Sequence, residues 1–161
     1  MKIRNRIWNK LISLIPFLIA IPILIMLGLY FINKKNNKVE DIDVAKGLIK
    51  DIKIMRVAID EYYQKTGTFP DLALNNEENE IEKIFYKTDS GTVYFKDLLK
   101  ESSIPKTPAG SGLSASNKIY TIKNFDEATK DGGWNYNSST GEIHVNLPEN
   151  FLGQGIEWET Y

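Results

Sequence analysis

Apolar residues fall along this chain in three regimes, each with its own period. Residues 11–32 (LISLIPFLIAIPILIMLGLYFI) form an unbroken apolar run without a charged side chain. At about 1.5 Å of rise per residue, roughly 20 helical residues cross a hydrocarbon layer, so this run predicts a membrane-spanning helix. Over residues 39–66 the pattern changes. Ile42, Ala45, Leu48, Ile49, Ile52, Met55, Ile59, Tyr62 and Tyr63 recur in steps of three and four, which predicts an amphipathic helix with one buried stripe. Gly67 and Pro70 stop it. In the last third the period becomes two. Residues 118–125 alternate, and 134–137 and 142–147 flank the loop Ser138-Ser139-Thr140-Gly141, the pattern of antiparallel strands and a hairpin. Ile143, Val145 and Leu147 share one face, with Glu142, His144 and Asn146 on the other. An apolar sheet face is the partner that the amphipathic helix requires.

Between helix and strands the pattern is weaker. Residues 75–82 are acidic and asparagine-rich and predict a solvated loop. Asp89-Ser90-Gly91 marks a turn, 94–99 suit one or two helical turns, and two prolines and two glycines make 104–112 a loop. Beyond Pro148 the tail carries no clear pattern. The resulting organisation is a basic tail at 1–10, a membrane-spanning helix at 11–32, a polar joint at 33–38 and one domain at 39–161.

Charge then sets an orientation. Lys2, Arg4, Arg6 and Lys10 precede the apolar run and Lys34, Lys35 and Lys38 follow it. The slight excess in front predicts a cytoplasmic N-terminus and an extracytoplasmic C-terminal domain. The run is longer than a signal-peptide core and no small-residue cleavage site follows it, so it reads as an uncleaved anchor. The lipid bilayer is then the first expected partner. A net charge of −1 gives no strong draw toward nucleic acid. With no cysteine, disulfide stapling, thiol catalysis and Cys-rich zinc sites are excluded.

Several residues resemble those of a known family. Residues 58–70, ending Tyr62-Tyr63-Gln64-Lys65-Thr66-Gly67-Thr68-Phe69-Pro70, resemble the helix exit of type IV pilins and type II secretion pseudopilins. Ile104-Pro105 followed by Pro108 is similar to their loop between helix and sheet. Gly132-Gly133-Trp134-Asn135-Tyr136, with Thr140-Gly141-Glu142-Ile143 and Asn146, resembles the hairpin closing many pseudopilin domains. The pieces stand in the family's order. The resemblance implies an α+β, pilin-like fold: a long N-terminal helix, membrane-spanning then amphipathic, packed on a small antiparallel sheet. Its structural motif would comprise Tyr62, Gly67, Phe69, Pro70, Pro105, Gly133, Trp134, Tyr136 and Gly141. It further implies a single-pass protein of the bacterial cytoplasmic membrane, serving as a structural subunit or accessory of a pilus or secretion pseudopilus. Its partners would be other pilin-like subunits or secretion-machinery membrane proteins. The chain departs from the family in two respects. No glycine precedes the apolar run, and no acidic residue stands between Met1 and Val39. The alternative keeps the fold as a stationary, membrane-anchored domain binding an extracytoplasmic protein or glycan.

No set of residues predicts catalysis or a cofactor. His144, the single histidine, is placed by the alternation on a solvated strand face. Asp126, Glu127 and Asp131 could offer oxygens to calcium but lack a recognisable ligand spacing. Glu77, Glu78, Glu80 and Glu82 read as a wet charge run. Gly110 and Gly112 lack the lysine and helix of a phosphate loop. Tyr120, Trp134 and Tyr136 could form a carbohydrate platform if they faced outward, but rings in such strands usually serve the core.

Overall fold

The computed structural model describes the backbone of residues 2–73, 81–158 and 160–161, and side chains throughout these except at 2–19 and 36–39. Helix α1 spans Lys2–Thr66. Among the described residues five short strands follow: β1 (Phe85–Thr88), β2 (Gly91–Tyr94), β3 (Ile119–Thr121), β4 (Trp134–Asn137) and β5 (Glu142–Val145). The chain divides into two compact units, Met1–Glu40 and Asp41–Tyr161.

In the first unit the described side chains belong to α1. Its large apolar residues are open to solvent, from Ile21 at 54% to Met26 at 72% and Ile32 at 59%. The structure corrects the expectation of a membrane span at 11–32. Among the described residues no helix is long and apolar enough to cross a membrane. Residues 11–19 of the expected span lie outside the described side chains. The assignments that depended on the span are withdrawn with it: the membrane-spanning part of the fold class, the lipid bilayer as partner, and the single-pass localisation with its cytoplasmic N-terminus and extracytoplasmic domain.

In the second unit the stripe of α1 meets the sheet as expected from its spacing. Ala45, Leu48, Ile52, Met55, Ile59 and Tyr62 are buried, Ala58 joins them, and Ile42 and Ile49 are half-buried. Tyr63 does not belong to the stripe. It is 45% exposed and stacks on Phe69 instead. One core joins this helix face to Trp134, Tyr136, Ile143 and Val145 of the sheet and to Leu147 just beyond it.

The sheet is mixed, where an antiparallel one was expected. β4 and β5 form the anticipated hairpin, with Trp134 opposite Val145 and Tyr136 opposite Ile143. β3 instead runs parallel to β4, Ile119 opposite Trp134. Parallel neighbours need a crossover of about a dozen residues, and 122–133 supplies it. This is also why the expected strand over 118–125 stops at Thr121. The Asn124 side chain accepts from the Asp126 N–H at 3.2 Å and turns the chain into a 3-10 turn, Phe125–Glu127. β1 and β2 make a separate two-stranded antiparallel sheet around the anticipated turn at Asp89-Ser90-Gly91.

The crossover changes the second face of the sheet. Phe125 stacks on His144 with ring centroids 3.9 Å apart, and His144 is only 8% exposed. The alternation had placed that histidine in water. The tail beyond Pro148 is likewise part of the core: Phe151 and Leu152 are buried and Trp158 is wholly so, with Tyr161 edge-on to it at 6.0 Å. Removing the Trp134 ring from this core by Trp134→Ala is expected to cost about 3–5 kcal/mol, read as a lowered denaturant midpoint of the full-length protein. An unchanged midpoint would mean that the ring contributes no packing.

Candidate functional site

The motif residues from helix, loop and hairpin converge where α1 ends. Gly67 closes the helix, its N–H donating to the Tyr63 carbonyl at 2.7 Å. Pro70 is buried, and its carbonyl accepts from the Tyr136 hydroxyl at 3.0 Å. Phe69 folds back onto Tyr63, with centroids 4.5 Å apart and planes 24° from parallel. The Phe69 ring lies directly over Gly141. A Cβ built on Gly141 would stand 2.2 Å from the ring, and φ there is +75°. Only glycine allows so close an approach at that backbone angle. Tyr62 points inward and meets Phe95 edge-on at 5.9 Å.

The other motif residues tie the hairpin to the preceding loop. The Trp134 indole N–H donates to the Pro105 carbonyl at 2.8 Å. The Gly133 N–H donates to the Thr107 hydroxyl at 2.8 Å, and a Cβ at Gly133 would stand 2.3 Å from the Lys118 carbonyl oxygen. That contact lets β3 run flush beside β4. Thr107 is fully buried, and its hydroxyl in turn donates to the Ser116 carbonyl at 3.0 Å.

Asn146 organises the opposite face. Its Oδ1 accepts from the Lys130 N–H at 2.8 Å and from Asn135 Nδ2 at 3.0 Å. Its Nδ2 donates to the Thr129 hydroxyl at 2.9 Å and to the Gly132 carbonyl at 3.0 Å. All four bonding positions of the amide are therefore used, three of them to hold the end of the crossover. Asn135 and Asn146 are both fully buried.

An open cleft of about 610 Å³ lies beside this region, lined among others by Arg56, Asp60, Glu142, His144 and Tyr161. Arg56 projects from α1, and its Nη2 donates to the carbonyls of Ile143 (3.2 Å) and Tyr161. His144 Nε2 stands 3.0 Å from Glu142 Oε1. Together these groups clamp helix, strand and tail. Arg56 was missed in the sequence, although an arginine between Ile52 and Ile59 on the buried side of a helix is a signal for such a clamp. Asn146, between Val145 and Leu147, is a similar signal.

The remaining candidates are dispersed. Asp126, Glu127 and Asp131 are exposed, and Asp126 Oδ2 accepts from Asn124 Nδ2 at 3.2 Å. Among the described residues no group of three or more His, Asp or Glu side chains is gathered as for a metal ion. Glu77, Glu78 and Glu80 lie outside the described residues, and Glu82 pairs with Lys96 at 3.0 Å. Gly110 and Gly112 sit in a tight turn closed by Thr107 and Ser116, with the Phe151 ring against Gly110. Trp134 and Tyr136 are buried, so they form no outward platform with Tyr120, whose half-buried ring instead carries Lys118 Nζ 4.5 Å from its centroid.

Compared with known proteins, the chain matches no family model, no curated protein and no solved structure.

Two outcomes test the helix-exit geometry. Gly141→Ala is expected to lose about 1–3 kcal/mol through overpacking against Phe69. Gly153→Ala, where φ is also positive but no atom lies near the added Cβ, carries the backbone strain alone. Equal losses in the two variants would remove the ring contact as the cause. Burial, with Asp71 and Tyr62 nearby, pushes the Tyr136 phenol far above its ordinary range, and burial with Tyr86 nearby raises Tyr62. A raised folded-state pKa means that the native state holds its proton longer than the unfolded chain. Stability from these phenols is therefore complete below about pH 10 and falls as pH rises beyond it. Melts across that range should show a smaller alkaline loss in Tyr136→Phe than in the parent, and an identical loss would contradict the assignment.

Proposed function

We propose that this protein is a structural, non-catalytic, pilin-like subunit or accessory of a type IV pilus or type II secretion pseudopilus, and that it assembles through helix α1. One observation carries the reading. Residues 21–32 of α1 present large apolar side chains on every side of the helix, each roughly half or more exposed. A helix that is apolar all round is stable only when something covers it. Copies of the same helix, side by side in a bundle, would cover it on all faces at once. The order of the helix exit, Pro105 loop and glycine-led hairpin supports the same reading. So do the hydrogen bonds between side chain and main chain that tie these pieces together. Such a role needs no bond-breaking chemistry: α1 supplies the contact and the second unit supplies a compact head.

The absence of cysteine makes the test direct. In full-length protein in its producing cells, Ile25→Cys should give a covalent dimer with a short bis-maleimide. The pair Ile21→Cys and Met26→Cys should give a ladder of higher species, because each subunit then offers two attachment points. Lys87→Cys, on the exposed β1–β2 hairpin, should stay monomeric. Monomer alone from the α1 variants would overturn assembly through this helix.

A further inference from the structure

Within the second unit, the side of α1 turned away from the core carries an ordered stripe of charge around one apolar residue. Steps of three and four bring Lys46, Lys50, Lys53, Val57, Asp60 and Glu61 onto it. All are exposed except Glu61, which is half-buried. The basic residues precede Val57 and the acidic ones follow it. Val57 is 63% exposed, the most open of the large apolar side chains described in this unit. Lys53 and Asp60 have no ion-pair partner among the described residues, whereas Glu61 holds Lys65 at 2.9 Å.

Such a stripe is its own complement when a second copy lies against it antiparallel. A two-fold axis at Val57 then sets Val57 against Val57. At about 1.5 Å per residue, Lys53 stands about 6 Å before that point and Asp60 about 4.5 Å beyond it, so each lysine meets the other copy's aspartate. The two also share a flank of the helix, because the residues between them turn it by about 700°, close to two full turns. Lys50 and Glu61, about 1,100° apart, share the other flank in the same way. The two-fold operation sets like flank against like flank, so each pair forms twice. Parallel arrangements lose this match. In register, lysine faces lysine and acid faces acid, which is repulsive. Shifted so that Lys53 meets Asp60, a parallel copy sets Lys46 against Lys53 and Val57 against Gln64.

We propose that this stripe is an isologous contact with a second, antiparallel copy of the chain, with Val57 at the two-fold axis and Lys53 paired to Asp60 on both sides of it. A handful of side chains is far fewer than the roughly 20–30 per partner of a stable interface, so the contact is weak and sensitive to salt. It involves the second unit alone and stands or falls independently of assembly through residues 21–32.

Disulfide trapping of the full-length protein in its producing cells, under mild oxidation, tests it. Val57→Cys should give a linked dimer, since the two copies meet there. Lys53→Cys alone should stay monomeric, because its copies stand about 12 Å apart along the axis. Co-expressed with Asp60→Cys it should form a mixed dimer. Adding Asp60→Lys to the Val57→Cys protein should cut the dimer about fivefold or more, and adding Lys53→Glu as well should restore it. These positions are exposed, so the fold survives the changes, and an unchanged melting curve checks this. Three results would overturn the assignment: Val57→Cys left as monomer or linked only to a different protein, a Lys53→Cys dimer as abundant as that of Val57→Cys, which marks a parallel contact, or a dimer indifferent to Asp60→Lys or not restored by Lys53→Glu.

Discussion

The second unit depends on burying the aromatic side of β4. Trp134 and Tyr136 are fully enclosed, yet each carries a polar atom that cannot be left dry without cost. Both atoms find main-chain carbonyls, Pro105 O for the indole and Pro70 O for the phenol. These two bonds dictate where the loops must run. The chain leaving α1 has to place Pro70 beneath Tyr136, and the chain before β3 has to place Pro105 beside Trp134. Two prolines suit these points, because each offers an acceptor and has no N–H of its own to satisfy. The packing of two rings thereby positions segments 29 and 66 residues away in sequence.

The same sheet shows how a polar face can be made internal. Glu142, His144 and Asn146 alternate against the core residues as an exposed face would. The crossover to β4 passes over His144 and Asn146, which become its attachment points, while Glu142 stays exposed. Asn146 uses its whole amide, and His144 is held between Phe125 and Glu142. A solvated face would have left the crossover nothing to bind. Arg56 performs the corresponding task on the helix side, joining β5 and the tail through a single guanidinium nitrogen.

The first unit stands in contrast. Its described apolar residues, 21–32, are left uncovered, and so much exposed apolar surface calls for a partner. In the second unit, by comparison, the residues the family resemblance picked out lie at the helix exit and in the hairpin, where they serve packing and chain reversal. Among the described residues, most of the exposed large apolar side chains thus lie on α1.

Local pattern was enough for the elements whose neighbours are near in sequence. The stripe from Ala45 to Tyr62, the stop at Gly67, the turn at Asp89-Ser90-Gly91 and the β4–β5 hairpin all follow from periods of 3.6 or 2 and from turn chemistry. Side-chain spacing and backbone freedom act over a few residues, so the sequence states them openly. Tertiary structure decided the rest. The parallel pairing of β3, the burial of His144, the docking of Trp158 and the clamp at Arg56 depend on which distant segment arrives to cover a surface. Alternation reports which residues share a face, but both faces of a strand can be covered. Length and hydropathy were similarly incomplete for 11–32. Apolar character established that this stretch needs cover, while the nature of the cover is a property of what packs against it.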